Sequence, residues 1–300
     1  MIKVVLTGIF YPMAILRYFE AALRRRDDVE LYAVGPYTGA WIPWNGGMNL
    51  PAKYAGQPDV PFPGRQIRPT MPTEYIEKLV PCDKPDLWLQ IDAGFHLVGR
   101  PSHGKNVIVA TDPHVLNYDE QRSLADTFYC MQKVYAKPGD VYLPYAYDPV
   151  WHSPQNGTER EFDACLLGLH YPQRNELVQV LRDRGLKVKY DLGPVYNEAR
   201  EWYSQASIGL NWSSKEDLVA RVFELLGMRR LAVVNRVPDL PLFFQDGKDL
   251  VVFDNLQSAV EKVMYYHTHP DELEAIACQG HKAVQPHTWD ARVAQILEEL

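Results

Sequence analysis

The chain has 300 residues, of which 46% are hydrophobic and 23% charged, and its formal net charge is −7. These values predict a globular protein of two domains that needs no disulfide or metal ion for stability. The negative charge disfavours a dedicated nucleic-acid coat, although the nearly neutral residues 1–150 could carry a local basic patch. Short apolar runs, no evident signal peptide and four widely separated cysteines favour a cytoplasmic protein with no membrane span.

The first half alternates between strand-like and helix-like patterns, as in an α/β domain. A β-branched run predicts a strand over 2–7, and further strand-like runs predict strands over 29–34, 86–91, 106–110 and 127–130. Apolar spacing predicts a helix over 14–25, and a second helix is predicted over 118–125. Residues 35–72 are rich in aromatic residues, proline and glycine and follow no period. Because long loops in compact domains are usually functional, this segment is a candidate for ligand contact.

Residues 143–149 contain two prolines and are the best linker candidate, so we expect domains over 1–146 and 147–300. The second half alternates regularly, with strands predicted over 164–169, 187–190, 208–211, 231–235 and 250–253, and helices over 171–184, 195–205, 218–228, 256–267 and 270–284. This alternation predicts a parallel sheet covered on both faces. Two such domains facing each other would leave a cleft lined by the carboxyl ends of their strands, where ligands usually bind.

The segment from Asn211 to Gly227 carries the clearest candidate site. A strand is predicted to end at Asn211 and a helix to begin near Asp217, after residue types that cap helices well. Such a helix start directs free N–H groups and the positive end of a dipole toward the strand ends. Arg221 and Glu224 lie three positions apart on one helix face, which fits either a surface ion pair or a ligand site.

Several further sequence motifs follow one another along the chain in the order seen in one protein family. Glu216 and Glu224 have a spacing associated with nucleotide-sugar binding, although about one such pair is expected by chance. The other segments are Ile-Asp-Ala-Gly at 91–94, Thr-Asp-Pro-His at 111–114, and residues 143–152, 221–227, 231–235, 242–253 and 287–292. Together they resemble the CgeB-like branch of the group 1 glycosyltransferases, densely over residues 86–295 and thinly over residues 9–80.

This resemblance implies the GT-B fold, in which two Rossmann-like domains with parallel sheets face each other across a cleft. The C-terminal domain would hold a nucleotide-sugar donor and the N-terminal domain would present the acceptor. It implies that Glu224 accepts hydrogen bonds from ribose hydroxyls and that Glu216 binds hydroxyls of the donor sugar. Arg221 and Arg174 are candidates for the diphosphate, with a solvated helix-surface arginine as the alternative for Arg174. The remaining donor-binding candidates are Gly8, Gly168, Asn211 and Ser213.

Glycosyl transfer leaves a nucleoside diphosphate on which negative charge develops. Helix N-termini and arginines can stabilise that charge, and the sequence has no Asp-x-Asp, the metal-bridging signature of another glycosyltransferase fold. We therefore expect metal-independent catalysis without a cofactor, with a nucleotide sugar such as UDP-glucose as co-substrate. The resemblance implies retention of the anomeric configuration, with the donor phosphate assisting deprotonation of the acceptor.

Three residues of the first half are expected to border the same cleft. Gly8 follows the first strand, where it fits either close approach of a substrate or a simple turn. Asp112 and His114 follow the strand predicted over 106–110. They fit either a buried, hydrogen-bonded pair or residues that position the acceptor hydroxyl, one of them as a base. With Glu216, they are the catalytic candidates.

The acceptor is the most open question. Trp41, Trp44, Arg65 and Arg68 lie in the aperiodic segment, where they could stack on a carbohydrate or fold the segment onto its own domain. We expect a saccharide or small-molecule acceptor; the alternative is a hydroxymethylated base in DNA, held by the same tryptophans and arginines. A non-catalytic sugar-nucleotide-binding module is a further alternative. A dinucleotide-dependent oxidoreductase is disfavoured because no G-x-G-x-x-G follows the first strand.

Overall fold

Two compact units make up the chain. The first comprises Met1–Pro144 together with Trp289–Leu300, and the second comprises Tyr145–Thr288. The structure, a computed structural model, describes residues 1–43, 47–63, 70–92, 96–155 and 157–300. Each unit is built around its own parallel sheet, which confirms the predicted α/β class with two Rossmann-like domains.

The first unit is centred on a seven-stranded sheet in the order β11-β10-β9-β7-β1-β2-β5, with all neighbours parallel. Its elements are β1 (Ile2–Thr7), α1 (Ile15–Arg24), β2 (Val29–Tyr37), β3 (Trp41–Ile42), β4 (Met48–Asn49), β5 (Val60–Pro63), β6 (Thr70–Pro72), α2 (Thr73–Leu79), β7 (Leu87–Asp92), β8 (His96–Val98), β9 (Lys105–Ala110), α3 (Asp119–Leu124), β10 (Thr127–Cys130) and β11 (Val141–Tyr142). The strand order reverses between β1 and β7, because the strands of this sheet after β5 are added on the opposite side of β1 from β2.

The segment 35–72 contains more regular structure than its sequence pattern indicates. Strands β3 and β4 form a short antiparallel pair, and β5 extends the main sheet beside β2. The prolines at 61 and 63 obscure β5 in the sequence, but they are tolerated because β5 is the edge strand of the sheet.

The second unit is centred on a five-stranded parallel sheet in the order β13-β12-β14-β15-β16. Its elements are β12 (Phe162–Leu167), α4 (Pro172–Asp183), β13 (Val188–Asp191), α5 (Asn197–Ser204), β14 (Ala206–Asn211), α6 (Ala220–Gly227), β15 (Leu231–Asn235), β16 (Val251–Phe253), α7 (Leu256–Thr268) and α8 (Pro270–Val284). All five residues of β15 are buried, as expected for a parallel strand with helices on both faces.

The C-terminal helix α9 (Trp289–Leu297) groups with the first unit, whereas the sequence analysis placed residues 147–300 in one domain. The reason is the packing of Trp289, which is fully buried with its ring centre 5.5 Å from that of Tyr18 and 5.1 Å from that of Phe19 on α1. Arg292 also donates its Nε–H to the carbonyl oxygen of Pro144 at 2.9 Å. The division between the units therefore falls at Tyr145, and the chain returns to the first unit after Thr288.

Candidate functional site

The sheet of the second unit has one position where its strand order reverses. Strand β12 lies between β13 and β14, so the chain is added to one side of β12 first and to the other side afterwards. In open parallel sheets, ligands bind outside the carboxyl ends of the strands at such a reversal. Gly168 follows β12 and Asn211 ends β14, so both lie at this position.

Two arginine side chains converge on Gly168. Its backbone has φ +145°, a region that side chains disfavour, and a Cβ built there would lie 3.0 Å from Nη1 of Arg174 and 3.6 Å from Nη1 of Arg221. Arg174 comes from α4 and Arg221 from the first turn of α6, which follow the two strands at the reversal. The fold therefore brings two cations to one point at the carboxyl edge of the sheet.

Arg174 is fixed by backbone acceptors on both strand-end loops. Its Nε–H donates to the carbonyl oxygen of Trp212 at 2.8 Å and its Nη1–H to that of Leu169 at 3.2 Å. Its guanidinium carbon lies 4.9 Å from the ring centre of Tyr171. Burial and the nearby charge of Arg221 lower the pKa of Arg174 from its ordinary value. This environment differs from that of a solvated arginine on a helix surface.

Arg221 and Glu224 form the expected ion pair, with Nε and Oε2 3.2 Å apart. The two side chains are only 19% and 11% exposed, so the pair is largely shielded from solvent, unlike a surface ion pair. Arg221 also donates to the hydroxyl of Tyr203 at 3.2 Å, and this hydroxyl accepts the backbone N–H of Leu167 at 3.0 Å. Burial raises the pKa of Tyr203, which keeps it a neutral phenol.

His152 adds a buried imidazole that the sequence analysis did not select. It is 2% exposed, and its Nε2 lies 3.8 Å from Oε1 of Glu224. Its Nδ1 accepts the backbone N–H of Asp148 at 3.1 Å, so the neutral ring carries its proton on Nε2, facing the carboxylate. Burial lowers the pKa of His152, so the ring is neutral at pH 7.

A compact turn holds His152 in place. The Asp148 carboxylate accepts the N–H groups of Val150 and Trp151 at 2.9 and 3.0 Å, and the Asp148 carbonyl accepts the N–H of His152 at 2.8 Å. Both Asp148 and His152 belong to the segment 143–152 that carried the family resemblance. That motif was the available signal, but the sequence could not show that the turn packs beside Glu224.

The loop before α6 differs from the predicted capped helix start, because α6 begins at Ala220 and no side chain caps it. Ser213 donates its hydroxyl to the Asp217 carboxylate and accepts the N–H of Asp217 at 3.2 Å, so these residues bind each other within the loop. The backbone N–H of Ser213 donates to Oδ1 of Asn235 at the end of β15, at 2.7 Å. Ser213 therefore ties the loop to the neighbouring strand end.

Glu216 lies apart from this group. It has φ +58° in the loop, its side chain is exposed, and within the described ranges it makes no hydrogen bond or ion pair. Asn211, by contrast, is 4% exposed at the end of β14. The structure thus brings Gly168, Arg174, Arg221 and Glu224 together, with Asn211 at the end of β14 and Ser213 on the loop that follows. Among the described residues, Glu216 makes no hydrogen bond or ion pair with them.

In the first unit, Gly8 lies at the corresponding reversal, between the ends of β1 and β7. A Cβ at Gly8 would lie 2.6 Å from the carbonyl oxygen of Ile91 and 2.5 Å from Cδ1 of Leu16. Close packing of the backbone therefore explains this glycine by itself. A role in donor binding stays a prediction.

Asp112 and His114 follow β9 and have different neighbours. The carboxylate of Asp112 accepts the hydroxyl of Thr111 at 2.7 Å, whereas the ring centre of His114 lies 5.9 Å from that of Tyr135. The buried Nδ1 of His114 has no hydrogen-bond partner among the described residues. The two side chains therefore do not form the hydrogen-bonded pair that was one of the two expectations.

Of the predicted acceptor residues, Trp41 can be described. It lies on β3, and its ring packs against Gly47, where an added Cβ would come within 2.7 Å of Cζ2. This contact lies within the segment, and a role of Trp41 in acceptor binding stays a prediction. Trp44, Arg65 and Arg68 lie outside the described residues.

Comparisons with known proteins agree with the fold. Residues 156–298, slightly less than half of the chain, match a family model described as glycosyl transferase-like. No curated protein matches the sequence significantly. The fold is that of the GT-B glycosyltransferases, and the family match shows a likeness of residues 156–298 to glycosyltransferases. The narrower CgeB-like assignment stays a prediction.

Three solved structures illustrate the likeness. The Anabaena HepE protein in complex with UDP-glucose is 10% identical, with 100% of each chain covered and a TM-score of 0.65. A sucrose-phosphate synthase from Thermosynechococcus elongatus is 12% identical, with 100% of this chain and 98% of that chain covered and a TM-score of 0.63. An α-glucosyltransferase in complex with UDP and a 13-mer DNA containing a HMU base is 11% identical, with 99% and 98% covered and a TM-score of 0.62. At these identities the likeness shows the fold.

Within the described ranges, histidine, cysteine, aspartate and glutamate side chains form no group of three that could hold a metal ion. In the same part of the chain, no helix combines the length and apolar character needed to cross a bilayer.

Proposed function

We propose that the protein transfers a sugar from a UDP-hexose, such as UDP-glucose, to a hydroxyl group of a saccharide or small molecule. The observation that carries the proposal is the convergence of Arg174 and Arg221 on Gly168, at the strand reversal of the second unit. Two arginines over a glycine offer charge and close access to a diphosphate. The complex of HepE with UDP-glucose supports this donor class.

The two arginines would bind the diphosphate and offset the charge that develops on it as the glycosidic bond breaks. Arg174 is already held by two carbonyl oxygens, so little reorganisation accompanies this role. Since the guanidinium groups supply the positive charge, we propose that transfer proceeds without a metal ion or cofactor. Retention of configuration, which the family resemblance implies, belongs to the same proposal.

Glu224 would accept hydrogen bonds from the ribose hydroxyls. Arg221 contacts its Oε2, and Nε2 of His152 faces its Oε1, so both carboxylate oxygens are oriented by neighbouring groups. We propose His152 as a residue that positions Glu224, because its single imidazole proton faces the carboxylate.

The remaining assignments are further parts of the proposal. Asn211 and Ser213 would line the donor site beside the arginines, and Glu216 would reach the donor sugar from its exposed loop. Asp112 or His114 would position the acceptor hydroxyl. Gly8 at the other strand reversal would border the substrates, and a cytoplasmic location belongs to the same proposal.

The described residues do not favour a DNA acceptor over a saccharide or small molecule. The net charge of −7 counts against a nucleic-acid surface, and three of the four residues expected to hold DNA lie outside the described ranges. A saccharide or small-molecule acceptor is therefore the form of the proposal that should be tested first.

Thermal unfolding with UDP, GDP, ADP and TDP, alone and as glucose conjugates, tests the donor assignment. A ligand at 100 times its dissociation constant stabilises the folded state by about 2.7 kcal/mol. We expect a selective rise of the midpoint with UDP and UDP-glucose, followed by UDP release in a screen of hydroxyl acceptors. Equal midpoints with all nucleotides and with none would refute the proposal.

A comparison of UDP with its 2′,3′-dideoxy analogue isolates the role of Glu224. In the Glu224→Gln variant we expect the affinity for UDP to fall about tenfold, because a charge-assisted hydrogen bond is replaced by a neutral one. The affinity for the dideoxy analogue should change little. Glu261→Gln, on the exposed surface of α7, is the matched control. Equal losses with both nucleotides would mean that Glu224 acts on the fold rather than on the ribose.

A further inference from the structure

Three arginines meet at the opposite edge of the second sheet from the candidate donor site. Arg160 lies just before β12, and Arg229 and Arg230 lie just before β15. Because all strands of this sheet are parallel, these residues are at its amino edge, whereas Gly168 is at its carboxyl edge. The six residues of β12 separate the two edges by about 20 Å. We call this set the arginine pocket.

Two of these guanidinium groups share one acceptor. Arg160 and Arg230 both donate an Nη1–H to the carbonyl oxygen of Ala206, with a distance of 3.2 Å for Arg230. Arg230 is 5% exposed, and burial together with the charge of Arg160 lowers its pKa to about 10. Two like charges are thus held close together by the backbone, at a cost that a bound anion would offset.

Arg229 completes the pocket in an uncommon backbone conformation, with φ +56°. Its Nη2 donates to the carboxylate of Glu274 and to Sγ of Cys278. Its buried Nε has no hydrogen-bond partner among the described residues. Glu274 is the carboxylate that lines the cavity with the three arginines, so the lining carries an excess of positive charge.

The cavity beside these side chains has a volume of about 160 Å³. This is room for about five water molecules at liquid density, and it is large enough for a tetrahedral oxyanion. An adjoining cavity of about 290 Å³ shares Arg160 and Glu274 and is also lined by Asp163, Ser207 and His267, whose polar groups suit hydroxyls. Glu274 is exposed, so the pocket is open to solvent.

We propose that the arginine pocket binds a phosphate dianion, either free or as the phosphomonoester of a small hydroxylated molecule. Guanidinium groups match phosphate through paired, charge-assisted hydrogen bonds, and three of them line this cavity. The site is separate from the proposed donor site and does not depend on it. It provides a means by which a phosphorylated metabolite could modulate the second unit.

Isothermal titration with inorganic phosphate and with glucose 6-phosphate tests the proposal. We expect Arg160→Gln and Arg229→Gln each to weaken phosphate binding at least tenfold. We expect Glu274→Gln to tighten it several-fold, because that change removes the carboxylate which competes with the anion. Arg184→Gln, an exposed arginine at the end of α4, is the control and should bind phosphate as the wild type does.

The donor site provides the second control. Arg221→Gln should leave phosphate binding at the arginine pocket intact, while Arg229→Gln should leave the midpoint rise with UDP intact. Tighter binding of glucose 6-phosphate than of phosphate would identify a phosphomonoester ligand, and weaker binding would identify free phosphate. Wild-type phosphate affinity in both Arg229→Gln and Glu274→Gln would overturn the proposal, because a folding defect cannot explain unchanged binding.

Discussion

Replacing Arg221 by glutamine tests whether the paired arginines hold a diphosphate. The change removes a charge 3.6 Å from the Cβ position of Gly168 while preserving most of the side-chain length. A hydrogen bond to a charged group contributes about 1.5–3 kcal/mol, which corresponds to a dissociation constant for UDP about ten to a hundred times higher. The variant should also lose some stability, because the shielded carboxylate of Glu224 loses its Arg221 partner.

The assay is the midpoint of thermal unfolding with and without UDP. At a UDP concentration 100 times the wild-type dissociation constant, the stabilisation is about 2.7 kcal/mol for the wild type and about 0.4–1.4 kcal/mol for the variant. At about 2–4 °C per kcal/mol, the rise of about 5–11 °C should shrink to about 1–6 °C. Arg184→Gln serves as the matched control. A rise in Arg221→Gln equal to that of the wild type would refute the reasoning.

Three further changes have defined outcomes. Gly168→Ala should lower the unfolding midpoint and reduce the rise with UDP, because φ +145° is strained for alanine and its methyl group would lie 3.0 Å from Nη1 of Arg174. A variant with the same midpoint and the same rise as the wild type would argue against close approach of the diphosphate to Gly168. Because burial lowers the pKa of His152 in the folded state, only the unfolded chain takes up this proton as the pH falls below about 6.5, and the fold loses stability there. Stability should therefore decline less between pH 7 and pH 5 in His152→Asn, as measured by denaturant titration, and parallel curves would contradict this. Trp289→Ala should lower the free energy of unfolding of the first unit by about 3–5 kcal/mol, because the ring is fully buried. It should leave the affinity for UDP unchanged, and a loss of UDP binding would show that the effect is not confined to that unit.

Local patterns were sufficient to predict most strands and helices. The bounds of β10, β15 and α8 agree with the predicted ranges, because short runs of apolar and aromatic residues and a proline at a helix start are short-range signals. The same signals predicted the parallel sheets, and they directed attention to the loop after β14. Gly168, Arg174, Arg221 and Glu224 were all selected from sequence, although their proximity required the fold.

The structure differs from the sequence predictions where contacts between residues far apart in the chain determine the packing. Nothing local shows that residues 289–300 pack on α1 of the first unit rather than on the second unit, so they were placed in the second domain. His152 was not selected because its proximity to Glu224 depends on a turn about 70 residues earlier in the chain. The start of α6 was predicted too early because Ser213 and Asp217, both common capping types, bind each other in the loop.

The return of the chain to the first unit affects the order in which the units can fold during synthesis. Domains usually fold from the N-terminus as they emerge from the ribosome. Here the second unit is one continuous segment, whereas the first unit cannot bury Trp289 until the residues after Thr288 have been translated. The surface of α1 around Tyr18 and Phe19 therefore stays uncovered while the second unit is made, and the later unit in the sequence is the first whose elements are all available.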